Sequence, residues 1–132
     1  MFASFSRYQP QLLSALRIVA ALMFIQHGTQ KIFGFPAAAR GPFEIASQMG
    51  IGGVIELVGG ALLLIGLFTR PVAFVLSGMM AVAYFQFHVA NGGVYPLVNG
   101  GELAALYCWV FLYIVAAGPG AWAVDTLRGK RG

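Results

Sequence analysis

The sequence predicts an all-α membrane protein: a bundle of four transmembrane helices with both termini in the cytoplasm. Three observations carry that prediction. Of the 132 residues, 59% are hydrophobic and only 9% are charged, against about 25% charged in a soluble domain. The apolar residues gather into four stretches, each close to the roughly 20 residues that cross a hydrocarbon core about 30 Å thick. Lys and Arg are unequally shared between the two sets of flanking segments. A soluble fold of this length would leave large apolar patches in water and aggregate, so lipid is the solvent that suits the composition.

The first stretch runs from about Gln11 to Phe33. Arg17 interrupts it, and it ends in HGTQK with no small-residue cleavage site. It therefore reads as a retained helix rather than a secretory signal. A Gly- and Pro-rich connection, GFPAAARGPFEIASQMG, leads to the second stretch, about Ile51 to Phe68. The link FTRP is so short that the second and third stretches must form an antiparallel hairpin. Pro71 suits a first helical residue, where its missing N–H would be unpaired in any case. The third stretch runs from Pro71 to about Ala90. A loop with two Asn-Gly turn signals, NGGVYPLVNGGE, precedes the fourth, from about Glu102 to Gly118. Backbone groups inside a bilayer must be satisfied within their own segment, so these stretches are helices. They form one domain over residues 1–132.

Orientation follows from the basic residues. Arg7, Arg17, Arg70, Arg128, Lys130 and Arg131 fall on one side, and Lys31 and Arg40 on the other. By the positive-inside rule the first side is cytoplasmic. The loops after the first and third helices then face outward. The formal net charge is +4. The basic residues are spread over helix ends, where they contact lipid headgroups, and nucleic acid is excluded as a partner. The single cysteine, Cys108, excludes an intrachain disulfide and a CxxC redox pair. It reads as a small packing residue.

Charged side chains in a membrane helix each cost about 2.5–3.5 kcal/mol at its centre. This chain keeps several, mostly near one end. His27 and Lys31 are four apart and share a face of the first helix. Glu56 lies in the second helix, His88 ends the third, and Glu102 opens the fourth. All five are expected within about 10 Å of the outer boundary at 1.5 Å rise per residue. Gly52, Glu56, Gly59, Leu63 and Gly66 form one stripe, which carries Glu56 inward because glycines admit a neighbouring backbone. Glu102, Trp109, Tyr113 and Gly120 share a face of the fourth helix, and Ser77, Ala81, Tyr84 and His88 a face of the third. The expectation is an outward-opening cavity with a polar mouth and an aromatic floor, suited to a planar, partly polar ligand. Its candidate binding residues are His27, Lys31, Glu56, Tyr84, His88, Glu102, Trp109 and Tyr113.

Structural readings stand beside these. Glu56 and Lys31 could be a buried ion pair that fixes packing, and Glu102 an acidic first-turn residue favoured by the helix dipole. Arg17 reads as a snorkelling anchor, with Asp125 as an alternative partner. The spacings of His27, His88, Glu56 and Glu102 match no metal motif, and Lys31 would repel a cation, so no metal is assigned.

The stretches HGTQKIFG, ELVGGALLLIGLFTRPVA, NGGELAALY and GPGAWAVD occur in this order. Together they resemble the DoxX family of small bacterial and archaeal membrane proteins. One departure is Ala123, where the family pattern leads one to expect Ser. The resemblance implies a multi-pass protein of the cytoplasmic (inner) membrane with a quinone-linked redox theme. It does not carry over individual functional residues. Three functions remain open. The first is a protein that binds a quinone or phenolic molecule in the outward cavity and supports redox or oxidative-stress chemistry with a partner subunit. If catalytic, it is a quinone-linked oxidoreductase subunit. The second is a non-enzymatic scaffold or chaperone that uses the glycine stripe as an interface. The third is a small carrier, working as a homo-oligomer.

Overall fold

The computed structural model describes residues 1–129, so Lys130 and Arg131 lie outside the described residues. All its regular elements are helices, with no strand among the described residues. A short 3-10 helix, Phe2–Tyr8, runs directly into α1, Gln9–Phe33. Helix α2 spans Gln48–Ile65 and α3 spans Thr69–Ala83. A π-helical segment, Tyr84–Val89, and a last turn, Ala90–Gly92, prolong α3. After a short helix at Pro96–Asn99, α4 runs from Glu102 to Ala117. A final turn, Val124–Leu127, follows. Three of these helical runs, Phe2–Phe33, Gln48–Ile65 and Thr69–Gly92, are long and apolar enough to cross a membrane. Helix α4 is apolar but shorter.

The helix ends have local causes. Ser47 caps α2: its Oγ accepts the Gly50 N–H at 2.9 Å, which satisfies one of the donors a helix start leaves open. The helix therefore begins three residues before the apolar run. It ends at Gly66, whose φ of 72° is left-handed, the usual helix stop for a residue without Cβ. Hence α2 stops at Ile65, short of Phe68. Two residues on, Phe68 also takes a left-handed conformation, φ 52°, which is uncommon for a residue with a side chain. Asp125 holds it there. Its Oδ1 accepts the Phe68 N–H at 3.0 Å and its Oδ2 the Thr69 N–H at 2.9 Å. The start of α3 is thus capped by a residue more than fifty positions later in the chain.

Helix α1 packs chiefly on α2, and α3 on α4; the two pairs join through α2 and α3. The buried centre is Phe24, Leu63, Leu76, Phe111 and Ile114 with Ala21 and Ala73. The other faces are apolar and exposed, including Leu12, Val19, Phe74, Val82 and Leu106, as a lipid-facing surface requires. The glycines of α2 face inward. A Cβ at Gly53 would meet Lys31 and Ile32, one at Gly59 would meet Leu76, and one at Gly60 would meet Ile25. Of the predicted stripe, a Cβ at Gly52 would also meet Met79 and one at Gly66 would meet Ala123 and Arg17, so its glycines face other parts of this chain.

Arg17 corrects the expectation of a snorkelling anchor. It is fully buried and donates to the backbone carbonyls of Pro119, Trp122 and Leu64. Ser14, one turn earlier, donates to Pro119 O at 3.0 Å and accepts the Trp122 N–H at 2.9 Å. Asp125 is occupied by its cap on α3, so its carboxylate is not the partner of Arg17 among these hydrogen bonds. Burial raises the Asp125 carboxyl, but the Thr69 and Phe68 N–H bonds and nearby Arg128 outweigh it and hold it below the ordinary carboxylate value. A cavity of about 630 Å³ lined by Gln9, Arg70, Thr126 and Gly129 places both ends of the described chain and the α2–α3 turn at one end of the bundle.

Candidate functional site

The opposite end holds the polar groups of α1 and α2. Lys31 Nζ donates to Glu56 Oε1 at 2.6 Å, the one ion pair among the described residues. Glu56 is 3% exposed and the Lys31 side chain 29%. Gly28 explains how they meet. A Cβ there would lie 2.8 Å from both the Gly53 carbonyl oxygen and the Leu57 nitrogen. Only glycine lets the α1 backbone come this close, and that contact lays Lys31 across α2. The second oxygen, Glu56 Oε2, is buried with no hydrogen-bond partner among the described residues. Such a group is costly unless something completes it.

His27 lies on the same side of α1 and is half-buried. Its ring meets that of Tyr107 edge-on, with centroids 6.1 Å apart. Tyr107 in turn stacks on Phe111 at 5.4 Å and meets Phe24 edge-on at 5.3 Å. Tyr107 is 5% exposed, and its hydroxyl also lacks a partner among the described residues. His27 lies one turn before Lys31 on α1, so this ring contact and the ion pair sit on neighbouring turns of one helix. A groove of about 340 Å³ opens beside it between α1 and α4, lined by Gln26, His27, Gln30, Pro36, Leu103 and Tyr107. Gln30 ties the following loop down by donating to Ala38 O at 3.1 Å.

The structure brings together His27, Lys31 and Glu56 of the eight sequence candidates and separates the others. Tyr84 and His88 lie on the π-helical segment and clamp the α3–α4 loop. His88 Nδ1 is 3.2 Å from Asn99 O, and the Tyr84 hydroxyl donates to Val94 O at 2.8 Å. Glu102 is exposed at the first turn of α4. Trp109 and Tyr113 correct the expected aromatic floor, for they are 68% and 51% exposed on the outside of α4. The buried face of that helix is Tyr107, Phe111 and Ile114. Tyr113 instead borders the cavity at the far end. Tyr107 is the site residue that the sequence argument passed over. Spacings of four and three link it to Phe111 and Ile114 on one helical face. Among the described residues no group of three or more His, Cys, Asp or Glu side chains could hold a metal.

The DoxX family profile matches residues 12–89, which carry α1, α2 and most of the α3 helical run, including His27, Lys31 and Glu56. The chain belongs to the DoxX family. An uncharacterized protein of Haemophilus influenzae is 49% identical over 129 residues, covering 95% of this chain and 96% of that one. The Escherichia coli inner membrane protein YphA is 27% identical, covering 94% of this chain and 95% of its own. The inner membrane protein YqjF of the same organism is 29% identical, covering 87% and 90%. No solved structure matches. This DoxX protein is accordingly a multi-pass protein of the inner membrane.

Proposed function

We propose that this DoxX protein binds a planar phenolic or quinone-type molecule in the groove between α1 and α4, facing outward. In this reading it supports membrane redox or oxidative-stress chemistry together with a partner that carries electrons. One observation supports the reading above the others. Tyr107, whose buried hydroxyl has no partner among the described residues, lines a groove that also presents the His27 ring. A volume of about 340 Å³ is at the small end of ligand pockets and fits one substituted ring. Phe111 and Phe24 hold the Tyr107 ring in place. The outward orientation rests on the basic end of the bundle lying in the cytoplasm.

The test is gentle purification from the native membrane, then mass spectrometry and an absorption spectrum, with wild type beside Tyr107→Phe. The reading expects a small aromatic molecule in near-stoichiometric amount with the wild type. It expects about tenfold weaker retention with Tyr107→Phe, as for one lost buried hydrogen bond. A wild-type protein that retains no such molecule, and binds none when quinones or phenols are added, would sink it.

A further inference from the structure

A larger cavity than the groove beside Tyr107 lies at the basic end of the bundle, about 630 Å³ against about 340 Å³. The two helix pairs join through α2 and α3, so α1 and α4 meet only loosely on the other side, and the cavity occupies that seam. Its lining has two characters. Gln9, Arg70 and Thr126 are polar, whereas Leu13, Tyr113 and Ala116 supply apolar surface. Leu13 lies four residues beyond Gln9 along α1, and Tyr113 four before Ala117, the end of α4. At 1.5 Å per residue the apolar part therefore reaches about 6 Å into the spanning helices. Arg70 Nη1 donates to the carbonyls of Val115 and Ala116 at 2.9 and 2.7 Å, which fixes the guanidinium against the last turn of α4. A guanidinium carries five N–H donors, so it can hold carbonyls and an anion together, and its planar fork matches phosphate oxygens.

We propose that this cavity seats one anionic phospholipid of the adjoining leaflet, with its phosphate on Arg70 and the start of its acyl chains in the α1–α4 seam beside Leu13, Tyr113 and Ala116. Charge complementarity selects the headgroup. Glu44, Glu56 and Glu102 belong to the opposite end of the bundle. Asp125, the remaining acidic residue of the chain, is 1% exposed and spends its two oxygens on the Phe68 and Thr69 N–H groups. The ammonium of a zwitterionic headgroup therefore meets no carboxylate here. A phosphate with an uncharged headgroup meets Arg70, with Arg7 and Arg128 at the same end. Basic pockets between membrane helices suit such headgroups. A free phosphate ion would leave the apolar half of the lining unused. The proposal is independent of the aromatic-ligand reading, which concerns the other end of the bundle.

The experiment measures binding of radiolabelled phosphatidylglycerol, or of phosphatidylethanolamine with the same acyl chains, to the full chain immobilised on resin in mixed detergent micelles. Binding to bare resin is subtracted. Phosphatidylglycerol is expected to bind at one per chain and about tenfold more tightly than phosphatidylethanolamine. Arg70→Gln should weaken phosphatidylglycerol about tenfold, as for one lost charge-assisted contact, and Arg70→Lys should recover part of that loss. Arg7→Gln, outside the lining, should matter much less. Ala116→Trp keeps Arg70 but fills the apolar half of the cavity, and should weaken both lipids together. Equal binding of the two lipids by the wild type overturns the proposal, as does an Arg7→Gln loss as large as that of Arg70→Gln. Displacement of the lipid by inorganic phosphate at constant ionic strength also overturns it, because the site then takes a free anion. The wild-type and Ala116→Trp titrations decide the matter even where an Arg70 variant does not fold.

Discussion

Removing Lys31 while keeping Glu56 tests the central ion pair directly. In Lys31→Met the carboxylate stays 97% withdrawn from solvent, with neither oxygen paired, inside an apolar bundle. Breaking a fully buried pair by deleting one partner costs about 3–5 kcal/mol, whereas exposed pairs contribute about 0–1 kcal/mol. This pair lies between the limits, because Glu56 is buried and Lys31 is about a third exposed. The expected loss for Lys31→Met is therefore about 2–3 kcal/mol. Glu56→Gln should cost less, about 1 kcal/mol, since the freed ammonium can turn toward water. The double variant Lys31→Met/Glu56→Gln should cost only about 1 kcal/mol, which gives a coupling of about 2–3 kcal/mol. Equilibrium unfolding in mixed micelles, followed by tryptophan fluorescence and circular dichroism, measures all four proteins. The reasoning fails if Lys31→Met is as stable as Glu56→Gln, or if the two changes simply add.

Asp125→Ala removes two N–H acceptors at the start of α3 and releases Phe68 from its left-handed conformation, so it should cost about 2–3 kcal/mol in the same unfolding assay. The Asp125 carboxyl is held below its ordinary value in the folded protein. Its stabilisation is therefore complete above about pH 4, the unfolded value, and is lost as pH falls through the lower folded value. Asp125→Asn should flatten that acid-side loss, as unfolding curves taken at a series of pH values would reveal. Gly28→Ala drives a methyl against two backbone atoms of α2 and should destabilise by about 1–3 kcal/mol. Gly78→Ala, with nothing within 4 Å, should be neutral or stabilising by up to about 1 kcal/mol in the same unfolding assay. Trp109→Leu and Tyr113→Leu, both on the outer face of α4, should leave retention of the aromatic molecule unchanged in the purification assay, and a loss would return these rings to the site.

Much of the fold was legible because lipid imposes simple rules. Span length and hydropathy placed the ends of α1, and the start of α4, within two residues of where they lie. Hydropathy alone misplaced α2 by three residues at each end, because Ser47 and Gly66 set its limits through capping rather than apolarity. Spacing paired His27 with Lys31, and the glycine stripe carried Glu56 inward, so the ion pair was within reach of sequence reasoning. Helix α4 was different. It is apolar on nearly every side, so periodicity cannot tell its lipid face from its core face. A helical face drawn through Glu102 takes in Trp109 and Tyr113 and misses Tyr107. The Arg17 and Asp125 contacts were illegible for another reason. They join residues far apart in the chain to backbone atoms, and backbone atoms leave no mark on sequence.

Arg17 also sets a condition on the order in which the protein can be made. Its partners at Pro119 and Trp122 lie 102 and 105 residues further along the chain. At about 5–20 residues per second, ribosomal synthesis delivers them roughly 5–20 s after Arg17 has emerged. During that interval a guanidinium inside the first hydrophobic segment lacks the two carbonyls that will hold it. The nascent segment must keep Arg17 at the headgroup level, or in the insertion machinery, until the last helix arrives. The first helix therefore reaches its final depth only when the end of the chain has been inserted, and truncation before Pro119 should leave even the N-terminal helix wrongly seated.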